Sequence, residues 1–196
     1  MWASRNGHER AVRLLLARGA RQELQCESMA ALHCAAMKGH AGIVEQLCAA
    51  PGAAAALALR DKDGYTPLSL ALSIGDGSER LVAALLEADA TGAAVNAQTD
   101  NGSTALVWAS ERGHEGAVRL LLARGARHEL QSNDGNTALH CAAEKGHAAI
   151  VEQLCAAPGA TAAAALRDKN GYTPLALAVR EGHAACASVR ALGAPA

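Results

Sequence analysis

Eight histidines and six cysteines are the residues of this chain best suited to chemistry, and their first candidate use is metal ligation. They form two adjacent pairs, His33-Cys34 and His140-Cys141. Neighbours in sequence on a helix point about 100° apart. Such a pair does not readily close on one ion, and no second Cys/His pair stands at zinc-finger spacing. Cys34 and Cys141 occupy one repeated position, and Cys48 and Cys155 another. Both read as small apolar fillers on helices, with the histidines hydrogen-bonding locally. Asp61 and Asp63 suggest paired carboxylates, but the run Asp61-Lys62-Asp63-Gly64 is turn chemistry. Arg10, Arg13, Arg119, Arg124 and Arg127 suggest a nucleic-acid stripe. Against it stand interspersed acidic residues, a net charge of −1, and an absence of Phe with only two Trp and two Tyr. Gly-x-Ser-x-Gly, phosphate-loop and dinucleotide-binding glycine patterns do not occur. These residues predict no enzyme, no cofactor, no metal site and no nucleic-acid partner.

The elements that hold these residues are repeated. Ala109 to Gln131 recurs almost letter for letter as Ala3 to Gln25, and Asp168 to Pro174 repeats Asp61 to Pro67. Within each copy a shorter period near 33 residues is marked by Gly-His at 7–8, 39–40, 113–114, 146–147 and 182–183. A short fixed period implies a stack of small units rather than a closed globule. Composition agrees: 51% of the chain is hydrophobic, much of it Ala, which suits a thin two-layer stack better than a deep centre filled by aromatics.

Thr99 to Gln131 is the cleanest unit. Asp100-Asn101-Gly102 predicts a turn. Thr104 predicts an N-cap for a helix through Leu106, Trp108 and Ala109. Thr66-Pro67 and Thr173-Pro174 stand at the same point, and Pro suits a first helical residue whose N–H has no helical partner. Gly113 predicts a left-handed stop. His114 then opens a second helix whose Ala117, Val118, Leu121 and Leu122 form one apolar stripe. Each helix is roughly 8 to 10 residues, below the ~12–15 at which an isolated helix holds in water, so each pair needs its neighbours.

These residues resemble the ankyrin repeat, whose Thr-Pro-Leu-His-x-Ala signature recurs every 33 residues. Thr66-Pro67-Leu68-Ser69-Leu70-Ala71 and Thr173-Pro174-Leu175-Ala176-Leu177-Ala178 keep Thr-Pro-Leu and lose the His; Thr137-Ala138-Leu139-His140-Cys141-Ala142 keeps the His and loses the Pro. The resemblance covers nearly the whole chain. It implies an all-α ankyrin-repeat solenoid of helix-turn-helix units joined by β-turn finger loops, expected as a single array over 1–196. Its units are 1–25 (partial), 26–60, 61–98, 99–131, 132–167 and 168–196. It also implies that the Gly-His histidines are structural, tying helix starts to loops.

The pattern breaks in several places. Unit one starts mid-helix, with Trp2 at the position of Trp108. Gln25-Cys26-Glu27-Ser28-Met29 lacks the turn glycine. Gly75-Asp76-Gly77-Ser78 replaces one Gly-His, and Asp89 to Ala94 is inserted before Val95. Ala-rich extensions follow Pro51-Gly52 and Pro158-Gly159, leaving open whether they are longer fingers or an added helical turn. Ser188 and Arg190 make a weak polar cap at the far end.

The resemblance places a partner against the turn tips and the exposed side of each first helix. The tips hold Lys62, Asp63 and Tyr65; Asp100, Asn101 and Ser103; Asn133, Asp134 and Asn136; and Lys169, Asn170 and Tyr172. The first helices end in Met37-Lys38, Glu111-Arg112, Glu144-Lys145 and Arg180-Glu181. Tyr65 and Tyr172 are the expected anchors. The expectation is a monomeric, non-enzymatic scaffold for another protein. The alternative is the recognition segment of a larger multidomain protein, such as an enzyme-targeting subunit or a channel's cytoplasmic array. No secretory signal and no bilayer-length apolar run stand in the chain, and the cysteines form no disulfide framework. That predicts an intracellular location, cytoplasmic by default, with the nucleus open.

Overall fold

A computed structural model describes residues 1–25 and 28–189. Those residues form fourteen helices and no strand, and the chain divides into two compact units that meet between Asp100 and Asn101. Cys26, Glu27 and Arg190, singled out above, lie outside the described residues.

The first unit contains α1 (Trp2–Arg5), α2 (Glu9–Ala17), α3 (Ala31–Met37), α4 (Ala41–Cys48), α5 (Ala53–Ala58), α6 (Pro67–Ser73) and α7 (Glu79–Ala88). The second contains α8 (Ala105–Arg112), α9 (Glu115–Ala123), α10 (Ala138–Lys145), α11 (Ala148–Ala156), α12 (Ala160–Ala165), α13 (Pro174–Arg180) and α14 (Ala184–Ala187). In the first, α3 packs between α1 and α6 while α4 packs between α2 and α7. In the second, α10 packs between α8 and α13 while α11 packs between α9 and α14. Each unit is therefore a two-layer stack of helix pairs.

Local chemistry sets the helix limits. Thr66, Thr104, Thr137 and Thr173 are extended N-caps whose hydroxyls accept from the third helical amide. Gly113 and Gly146 end α8 and α10 at φ 78°, a left-handed geometry that costs an L-residue about 1–2 kcal/mol. Where the turn glycine is missing, Ser28 adopts φ 62°, the only non-glycine with positive φ among the described residues. It stands where Gly135 stands in the later copy, and takes on the strain that glycine would avoid.

The core is aliphatic: Leu32, Ile43, Leu47, Leu68, Leu72, Leu81 and Leu85 in the first unit, and Leu106, Leu121, Leu139, Ile150 and Leu154 in the second, all essentially inaccessible. Of the stripe expected on α9, Ala117, Val118 and Leu121 are buried, whereas Leu122 is half-buried beside Gly125 and Pro158. The Ala-rich extensions are added helical turns, α5 and α12, each opened by a left-handed glycine. Long-range hydrogen bonds hold their entries. Gln22 donates to the carbonyls of Leu47, Ala50 and Pro51. His128, at the equivalent position, donates through Nε2 to Pro158 O at 2.7 Å. The inserted loop after α7 closes on Asp89, whose carboxylate accepts from Thr91 Oγ1 and from the amide of Ala94, both at 2.8 Å.

Candidate functional site

Two sets of histidines stitch each stack together. His140 accepts the Thr137 amide at Nδ1 (3.3 Å), so its Nε2 carries the proton and donates to Tyr172 O at 3.2 Å. The Thr137 hydroxyl lies 2.8 Å from the same Nδ1. His33 repeats the pattern, accepting from Ala30 N and donating to Tyr65 O. Burial pulls both histidines below the ordinary value, so they stay neutral. The Gly-His histidines reach one repeat back. His40 donates to Arg5 O, His147 to Glu111 O and His183 to Glu144 O, at 3.2, 3.2 and 2.9 Å. They bind the end of the preceding first helix. His8 instead lies against Trp2, ring centroids 5.1 Å apart.

The cysteines are equally structural. Cys34, Cys48, Cys141, Cys155 and Cys186 carry thiols rather than disulfides. Burial pushes Cys48 to about 11. Burial, followed by the carboxylates of Glu111 and Glu144, pushes Cys141 to about 12. A thiol so displaced supplies little thiolate at neutral pH. Among the described residues no three His, Cys, Asp or Glu side chains gather as a metal site.

The turn tips are closed by hydrogen bonds. Asp168 Oδ1 accepts the amides of Asn170 (2.9 Å) and Tyr172 (2.8 Å), and Asp61 does the same for Asp63 and Tyr65. Successive tips are linked through the backbone: Asp100 N to Asp63 O in the first unit, Asn133 N to Asn101 O and Lys169 N to Asp134 O in the second. Lys169 also donates to the Asp134 carboxylate.

In the first unit Lys62 and Asp63 are exposed and Tyr65 is half-buried. In the second unit the structure gathers six of the expected residues, Asn101, Ser103, Glu111, Asn133, Asp134 and Asn136, around one open groove of about 290 Å³. Ser103 is only 6% exposed and forms part of its wall. Arg112, Glu144, Lys145, Lys169, Asn170, Tyr172 and Arg180 do not line it. Glu144 pairs with Lys145, and Arg180 pairs with Glu181 while lying 4.9 Å over the Tyr172 ring. Sequence reasoning did not pick out Val107, Trp108, Ser132 and Cys141, which complete the groove. The signal for Trp108 was available: it stands three residues before Glu111 on α8, hence on the same face.

One family model, ankyrin repeats (3 copies), matches residues 1–54, 53–132, 73–165 and 125–192. The chain belongs to the ankyrin-repeat family. No curated protein shows significant similarity to it. Ankyrin repeats are generally protein-protein interaction modules and are typically non-enzymatic. The Thr caps, the inter-repeat histidines and the linked tips are thus the framework of an ankyrin stack, and the groove is the concavity that this framework holds open. Among the described residues no helix of this ankyrin chain is long and apolar enough to cross a membrane.

Proposed function

We propose that this ankyrin chain is a scaffold that binds a protein partner through the turn tips and the exposed faces of the first helices, with the groove over α8 and α10 as its centre. One observation carries the reading. Tip residues separated by more than thirty positions line a single groove with the face of α8, and backbone hydrogen bonds between tips hold it in shape. A preformed surface binds with less ordering entropy than a mobile loop. Its walls are amides, hydroxyls and the two carboxylates of Glu111 and Asp134 around an apolar floor, the composition of a contact surface with a few orienting polar groups.

Photo-crosslinking tests this proposal. A photoreactive amino acid placed at Asn133 captures the partner from extracts of the source cell. The same group at Arg119, on the exposed side of α9, does not. Capture at Arg119 with none at Asn133 would make the outer helices the functional surface and overturn the proposal.

A further inference from the structure

The groove over α8 and α10 is uneven in charge, and that unevenness names a ligand chemistry. Two carboxylates line it, Glu111 and Asp134. Asp134 is engaged by Lys169. Glu111 has no ion pair among the described residues, although Glu144, its equivalent one repeat later, is paired with Lys145. Glu111 is half-buried, and its backbone carbonyl is held by His147 Nε2 at 3.2 Å, so the end of α8 that carries it is anchored. Trp108 lies on the same helix face, and Val107 and Cys141 supply apolar floor. A carboxylate beside an indole is complementary to a cation: the acid supplies charge and hydrogen-bond acceptors, and the ring supplies a π face.

Resting on the partner surface proposed above, we infer that this groove recognises an extended peptide segment of the partner through an arginine or lysine side chain placed against Trp108 and Glu111. The flanking peptide takes its polar contacts from Asn101, Ser132 and Asn136, which line the same walls. A volume of about 290 Å³ sits at the low end of the roughly 300–1,000 Å³ typical of ligand pockets, which suits one or two side chains rather than a helix. Cation recognition at a half-buried acid should weaken with ionic strength.

The full-length chain, ¹⁵N-labelled, is titrated with three acetylated and amidated octapeptides that differ only at one central position: arginine, its neutral isostere citrulline, or glutamate. The arginine peptide is expected to shift the Trp108 indole and the amides of residues 101–111 and 132–136. Citrulline should bind at least tenfold more weakly, and glutamate more weakly still. Glu111→Gln should lower arginine binding to the citrulline level and leave citrulline binding unchanged, with the spectrum of the free variant confirming its fold. Equal shifts by arginine and citrulline within the groove would overturn the cation assignment while leaving the groove as a peptide surface. Arginine shifts confined to residues outside it, or none with any peptide, would overturn the inference outright. The crosslinking result then decides the surface separately.

Discussion

Leu15 and Leu47 occupy the same position in successive second helices, yet Leu15 is 51% exposed and Leu47 is 2% exposed. The cause is the stack. Helix α4 has α2 on one side and α7 on the other, whereas α2 packs on α4 and α1. Truncating Leu47 removes a fully enclosed side chain and leaves a cavity, so Leu47→Ala should cost ~3 kcal/mol, within the 2–5 kcal/mol of such changes. Leu15 has only about half of its transfer term to lose, and water fills the space it vacates. With ~1.5–3 kcal/mol for complete burial of a leucine, Leu15→Ala should cost ~1 kcal/mol. Because repeat arrays lose cooperativity, native-state hydrogen exchange on the α3 and α4 amides is the assay, supported by urea midpoints. Leu47→Ala should accelerate exchange across α3, α4 and α7. Leu15→Ala should act only on α1 and α2. Equal losses in the two variants would refute the assignment of burial to neighbouring helices.

Exchange in the unmodified chain should show amides of residues 3–17 opening more readily than those of 138–156. Helix α1 has four residues, and Trp2, Leu14 and Leu15 are largely exposed; equal protection would mean that something covers this face. Stability should fall as pH drops below about 6.5. His33 and His140 have folded-state values lowered by burial, so the unfolded chain binds more protons from its ordinary value near 6.5 down to the folded value. Urea midpoints at pH 7.5 and 5.5 read this out, and His140→Asn should flatten the slope. Thr137→Ala should cost about 1–2 kcal/mol, because its hydroxyl meets both the His140 amide and ring. Its neighbour Asn136→Ala should stay within ~0.5 kcal/mol; denaturant curves for the two variants should differ accordingly.

Much of the fold was legible because its signals are local. A threonine hydroxyl meets an amide three residues on, and a left-handed glycine stops the helix it follows. From those alone the limits of α8 and α10, the two-helix unit and the position of the tips could be read, and the tip residues that line the groove were named from the repeat pattern. The duplicated tyrosines were also legible, but not their difference. Tyr172 carries Arg180 over its ring, whereas Ser73 stands at the position of Arg180 in the earlier copy. What the sequence left open depends on partners more than twenty residues away. The Ala-rich segments became α5 and α12, with carbonyls at their entries held by Gln22 and His128. Trp108 became groove wall because the tip at 132–136 closes over α8. Leu15 and Leu47 share a repeat position, but only one is covered on both sides. Helix boundaries are decided within one turn of chain; burial and concavity are decided by which helix lies across the gap, and that is a property of the stack alone.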